Sequence, residues 1–262
     1  MPYHVLSDGV PLYYEDVGSG PAVVLVPGWT ITTRFWERQT TDLARDHRVV
    51  TLDLRGAGQS GKTPDRHSLS AYADDLADLL DVLDLQGVTL VGFAMAVSVS
   101  VQLLVGRGAE RVGRFVWVDH SPCFFAAPDW PYGLFGDFTP AALDGVLERL
   151  RHDRPAATAE LLELMFTPRE SWMLPELLKT PTEVAVTLLQ AVAHMDLRPL
   201  LPRLTLPVLV VSGERSVVPP GVAGWLAERL PDGRKLVIPN AGHAPFWDDP
   251  PAFNQALRDF GA

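Results

Sequence analysis

Proton transfer and nucleophilic attack are the chemistries that the reactive residues of this chain can supply. An imidazole exchanges its proton near neutral pH, and of the seven histidines His243 stands out, in Asn240-Ala241-Gly242-His243-Ala244-Pro245-Phe246. His4, His47, His67 and His152 sit in no comparable segment and read as surface or satisfied core residues. Carboxylates fall directly after apolar runs at Asp53 and Asp119, the latter in Trp117-Val118-Asp119-His120-Ser121-Pro122. The only cysteine, Cys123, follows Asp119 closely and reads as packing. Gly56 and Gly58 do not form the G-x-x-x-x-G-K-S/T phosphate loop, so nucleotide binding is not expected.

The elements that must position these residues follow from apolar spacing. Val5 to Glu15 reads as a hairpin around Asp8-Gly9. Ala22–Val26, Val49–Leu52, Val88–Val91, Phe115–Val118, Pro207–Val211 and Lys235–Ile238 are short apolar runs, the form of parallel strands buried on both faces. Between Ser68 and Asp84, Tyr72, Leu76, Leu79, Leu80 and Leu83 fall at helical spacing, leaving Asp74, Asp75, Asp78 and Asp81 for the outer face. A second helical stretch follows Gly92-Phe93-Ala94-Met95-Ala96 through Leu104, and a last one starts at Pro250-Pro251 with Phe253, Leu257 and Phe260 on one face. Strands alternating with helices predict an α/β fold with a mostly parallel β-sheet flanked by helices. From Pro122 to Leu201 the rhythm breaks into proline-separated helical segments, 141–150, 157–166 and 182–193, with no strand signal. The division expected is a core of residues 1–121 and 202–262 with a helical cap, 122–201, across the sheet's edge, where ligands bind in open α/β folds.

Composition narrows the class. Apolar residues make up 47% of 262, enough for a buried core and too many for disorder. A net charge of −10 argues against a duplex nucleic-acid partner, whose phosphates demand basic surface. There is no 18-residue apolar stretch, and Met1-Pro2-Tyr3-His4 lacks the basic start of a signal peptide, so no membrane partner and a cytoplasmic location are expected.

Pro27-Gly28-Trp29, Asp53-Leu54-Arg55-Gly56-Ala57-Gly58-Gln59-Ser60, Leu90-Val91-Gly92-Phe93-Ala94-Met95-Ala96 and the His243 segment each follow a strand, in this order. Together they resemble the α/β-hydrolase fold superfamily, over nearly the whole chain outside the cap. In that family the strand-to-helix turn is the nucleophile elbow, G-x-S-x-G. Here Ala94 holds the serine's position and Ala96 that of the last glycine. A methyl group can neither attack a carbonyl nor be activated by a base. Three readings are open: a serine-to-alanine form of a Gly-Phe-Ser-Met-Ala parent, a non-hydrolytic enzyme, and a binding protein. The first accounts for the intact remaining positions. Ser98, Ser100 and Ser121 are rival nucleophiles, but the first two lie further into the helix than the turn.

The resemblance implies that His243 is the general base and that the Trp29 and Met95 amides form the oxyanion hole. It also implies an acid in a Gly-Glu-x-Asp pattern after Pro207–Val211, where this chain has Gly213-Glu214-Arg215-Ser216. Asp119, after the preceding strand, is therefore the expected acid, with Glu214 second. Arg55 is expected to anchor an ion pair. The activity implied is cofactor-independent, metal-free hydrolysis of a carboxylic ester or lactone, with little turnover while Ala94 replaces the nucleophile. A bulky apolar or aromatic substrate is expected from residues that would line a pocket over the elbow: Phe93, Phe124, Trp130, Tyr132, Phe135, Phe138, Met165, Trp172, His194 and Phe246. The alternative within enzymes uses a His243–Asp119 base alone, for cyclisation, C–C cleavage or oxygenation. Pro27-Gly28-Trp29 resembles the cofactor-free quinolone dioxygenases, which carry a histidine soon after the tryptophan where this chain has Thr30-Ile31-Thr32.

Overall fold

In the computed structural model, residues 2–107, 109–136 and 138–261 are described. Eight strands form one sheet: β1 (Tyr3–Val5), β2 (Pro11–Gly18), β3 (Ala22–Val26), β4 (Arg48–Leu52), β5 (Val88–Phe93), β6 (Val112–Val118), β7 (Val208–Gly213) and β8 (Gly233–Ile238). Their order is β1-β2-β4-β3-β5-β6-β7-β8, parallel from β4 to β8 and antiparallel at the β1–β2–β4 edge. The hairpin turns at Gly9, whose φ of 84° suits a residue without Cβ.

Alternation along each central strand feeds two apolar layers. Val24 and Val26 of β3 face one layer and Val23 and Leu25 the other, which explains runs without a polar position. On the first side pack α2 (Leu69–Val82) and α3 (Met95–Val105), later joined by α8 (Val222–Arg229); on the second pack α1 (Glu37–Leu43), α9 (Pro245–Asp248) and α10 (Pro250–Gly261). Phe253, Leu257 and Phe260 of α10 are buried as their spacing predicts. Between β6 and β7 run α4 (Pro140–His152), α5 (Arg154–Met165), α6 (Met173–Leu177) and α7 (Thr182–Ala193), and among the described residues this stretch contributes no strand to the sheet. Thr139 and Asp153 cap α4 and α5, each followed by proline in the first turn. The short helices α6 and α9 had no periodic signal, being five and four residues long. Among the described residues no helix is long and apolar enough to cross a membrane.

One reading of α2 is corrected. Asp74 and Asp81 face outward, but Asp75 is buried and takes both the Nε and Nη2 donors of Arg55, at 2.8 and 2.6 Å. Arg55 Nη1 reaches Asp8 at 2.7 Å, and the Tyr72 hydroxyl donates to the Arg55 carbonyl at 2.5 Å. A guanidinium that is 1% exposed needs a carboxylate more than the helix needs another solvated charge, so pairing overrides the amphipathic pattern. Removing that partner leaves a buried charge held by Asp8 alone. Asp75→Ala is expected to cost about 3 kcal/mol in urea unfolding, whereas the exposed Asp74→Ala should change stability by less than about 0.5 kcal/mol.

Candidate active site

β5 enters α3 through Ala94, which has φ 49° and ψ −122°. A non-glycine residue there stores on the order of 1–3 kcal/mol. The turn is held from both sides: Ala94 N donates to the Val118 carbonyl at 3.0 Å, and its own carbonyl accepts from Val97 N at 2.9 Å. Close approach of α3 to β5 requires Gly92, where a Cβ would come within 2.8 Å of Ser100 Oγ and 3.0 Å of the Ala96 carbonyl. Gly28 plays the same part from β3. A Cβ on it would lie 3.0 Å from the Phe93 carbonyl and 3.3 Å from Ala94 Cβ, so glycine lets Pro27-Gly28-Trp29 press against the elbow. Met95 is the first residue of α3, where amides lack helical acceptors and the helix dipole favours negative charge. The Trp29 indole donates to the Ala185 carbonyl of α7 at 2.7 Å, tying this loop to the inserted helices.

Asp119 ends β6 with φ 47° and is 1% exposed. Its amide donates to the Val211 carbonyl at 2.8 Å. Oδ1 accepts from Gly213 N at 3.2 Å, while Oδ2 accepts from the Ser216 hydroxyl and lies 2.6 Å from His243 Nδ1. An ionised carboxylate only accepts, so the imidazole carries its proton on Nδ1 and leaves Nε2 as an acceptor. Gly213 also lets the histidine loop pass, because a Cβ there would overlap the carbonyls of Ala241 and Gly242. Phe93 backs the imidazole with ring centroids 5.0 Å apart. Glu214, the second choice for the acid, is exposed and accepts from Asn240 N at 2.9 Å. It meets no histidine.

Above this constellation lies a cavity of about 920 Å³ including its mouth, lined by Trp29, Phe93, Ala94, Met95, Asp119 and His243 from the sheet side. Of the expected lining residues, Phe93, Phe124, Phe135, Phe138 and Met165 are in its wall. Five others are not, and each is placed by a better partner. Trp130 is fully buried, packs edge-on against Tyr132 and Trp225, and donates to the Cys123 carbonyl at 2.9 Å. Tyr132 lies with it, against Gly221. Trp172 meets Phe35 at 4.9 Å and Arg34 at 4.2 Å, and donates to Glu170. His194 is exposed at the end of α7, edge-on to Phe125. Phe246 is buried behind Phe93, 4.1 Å from Trp36 between centroids.

Aliphatic side chains take their place: Leu161 and Leu164 of α5, Leu189 and Val192 of α7, Val146 of α4, with Val217 and Val218 after β7. Helical spacing within α5 and α7 was the available signal, and aromatic clustering obscured it. Ser121, a rival nucleophile whose hydroxyl donates to the Cys123 carbonyl, also lines the cavity, as does His120, which was not foreseen. Ser98 is fully buried and bonds His120 Nε2 at 3.1 Å, and Ser100 is fully buried with no partner for its hydroxyl, so neither offers an accessible nucleophile.

Relatives share this architecture at low identity. A pimeloyl-[acyl-carrier protein] methyl ester esterase of Nitrosomonas europaea is 28% identical, covering 92% of this chain and 96% of its own. A putative non-heme chloroperoxidase of Synechocystis sp. is 29% identical over 99% of both. The structure of an esterase from Exiguobacterium antarcticum superposes with a TM-score of 0.92 at 26% identity, covering 99% of this chain and 98% of that one. Residues 21–250 match the alpha/beta hydrolase fold model, and with the elbow, the strand order and the histidine loop all in place the chain belongs to that family of hydrolases.

Proposed function

We propose that this chain is an ester or lactone hydrolase scaffold whose nucleophile position is occupied by Ala94, so that it binds a bulky apolar substrate and turns it over only when an oxygen is present at that position. The observation that supports this most directly is the 2.6 Å contact of His243 Nδ1 with Asp119 Oδ2 beside an elbow still held at φ 49°. In this reading a hydroxyl at position 94 attacks the acyl carbon, and His243 Nε2 takes its proton and returns it to the leaving oxygen. A water that gives a proton to the same nitrogen then attacks the acyl-enzyme, the acid leaves and the hydroxyl at position 94 is re-protonated. Asp119 orients and stabilises the imidazolium in both halves. The amides of Trp29 and Met95 hold the oxyanion. Residues 122–201 act as the cap, and the apolar wall they contribute holds the hydrophobic part of the substrate over the elbow. No cofactor enters these steps. The test is hydrolysis of aryl esters and macrolactones by Ala94→Ser beside the unsubstituted chain, and equal rates would sink the reading.

A second reading is favoured by one feature: without a serine, His243 Nε2 has no protein partner among the described residues, and His243 lines the cavity. A ligand hydroxyl or acidic C–H at the place of the missing oxygen then gives its proton to the His243–Asp119 pair, as in cyclisation or cofactor-free oxygenation. Oxygen uptake with a 3-hydroxy-4-quinolone by the unsubstituted chain would support it; no uptake and no deuterium exchange into such ligands would remove it.

A further inference from the structure

His120 follows the proposed acid but takes no part in the steps above. It lines the cavity, with its ring 5.3 Å from that of Phe124 and 6.2 Å from that of Trp117. Proton accounting fixes its state. Ser98 has one hydroxyl proton and, among the described residues, one partner, His120 Nε2 at 3.1 Å. Thr158 on α5 shows the usual alternative, donating to the carbonyl four residues back, but Ser98 makes no such bond. Assigning the hydroxyl as the donor to Nε2 puts the ring proton on Nδ1. Among the described residues that N–H has no acceptor. Burial first, and the neighbouring His243 second, push the His120 pKa down to about 3, so the ring stays neutral with this single donor.

The rest of the wall gives a ligand little to bond. Asp119 is engaged by Gly213, Ser216 and His243, and the Ser121 hydroxyl donates to the Cys123 carbonyl at 2.6 Å. Apart from His243 Nε2 and the Trp29 and Met95 amides, which serve the reacting group in the proposed reaction, the lining is aromatic and aliphatic. An unpaired donor in such a place is costly until something accepts from it.

We propose that His120 is a ligand-positioning residue whose Nδ1–H donates to an oxygen acceptor, a ketone or ether oxygen, carried by the apolar ligand away from its reacting group. The proposal rests on the cavity being the substrate site. It adds a chemical requirement: an apolar ligand with a second oxygen, set to one side of the elbow. Ser98 acts through His120 by fixing its tautomer, a polar pair otherwise unexplained one turn into α3.

Equilibrium binding to the unsubstituted chain tests this without turnover. The probes are phenyl 6-phenylhexanoate and its 4-oxo, 5-oxo and 6-oxo derivatives, titrated calorimetrically. One ketone is expected to bind about 5- to 10-fold more tightly than the parent, the range of a neutral hydrogen bond. His120→Phe should abolish that ratio, and His120→Asn, which keeps an N–H, should retain part of it. The ¹⁵N shifts of the histidine should show Nδ1 protonated. The idea is overturned if no ketone is preferred, if none of the probes binds, if the preference survives His120→Phe, or if Nε2 carries the proton. Should the ratio hold while Ala94→Ser stays inert, the hydrolase reading alone fails.

Discussion

Ala94→Ser is expected to raise aryl-ester turnover by a factor on the order of 10⁵ to 10⁶, because loss of the serine alone costs about that much where the rest of the machinery is kept. Nothing else has to move. The elbow already holds a non-glycine residue at φ 49°, the hydrogen bonds from Ala94 N to Val118 and from Val97 N to Ala94 are made, and Gly28 already leaves the Cβ its space. The added oxygen enters a site where Asp119 is bonded on both oxygens and His243 is set in the tautomer that leaves Nε2 free to accept. Stability should change by less than about 1 kcal/mol, since the position lines the cavity and is only partly buried. p-Nitrophenyl ester hydrolysis reads the gain directly. A rise smaller than about 10-fold, with the variant folded, would mean that the preserved geometry serves something other than acyl transfer.

The same geometry shows why the placement of some candidate-site residues was legible in the sequence. Strands buried on both faces leave continuous apolar runs, and the residues that end them, Asp53, Ala94, Asp119 and the loop to His243, sit at strand ends where backbone geometry fixes their direction. Main-chain placement needs only the order of elements, which periodicity supplies. The support of Asp119 was not legible. Gly213-Glu214-Arg215-Ser216 reads as a lost acid, yet Ser216 in that place donates to the carboxylate on the neighbouring strand. A contact between strands β6 and β7 has no signature in either segment alone.

The cap was harder for a related reason. Composition marks a cluster of aromatics but not the direction each ring takes. Trp130 turns inward because the Ala127–Trp130 bridge folds the loop back and the Cys123 carbonyl accepts its indole N–H, whereas Phe124 and Phe138 face the cavity. Asp75 errs in the opposite sense: its helical position says solvent, and only the buried Arg55, twenty residues earlier in sequence, makes it core. Both cases depend on a long-range partner, and a local pattern has no access to it.

In the Ala94→Ser background, Asp119→Asn is expected to lower kcat by about 10⁴-fold, the cost when an amide replaces the carboxylate behind a catalytic histidine. The asparagine would fit, with its Oδ1 accepting from Gly213 N and its Nδ2 donating to the Ser216 hydroxyl. Its amide group, however, presents a donor to whichever imidazole nitrogen faces it, and the tautomer with Nδ1–H loses its acceptor. The imidazolium formed during attack also loses the negative charge 2.6 Å away. Ser216→Ala removes one bond to Oδ2 and leaves the carboxylate charged, so roughly a 10-fold loss is expected, the size of one charge-assisted hydrogen bond. Glu214→Gln should change kcat by less than about threefold, because Glu214 is exposed and its bond to Asn240 N survives as an amide oxygen. The pairing of large and small effects is what identifies the acid. If Glu214→Gln instead costs 10²-fold or more while Asp119→Asn is mild, the histidine loop must reorganise toward β7's other edge on binding substrate, and the 2.6 Å contact would be a resting arrangement with no part in turnover.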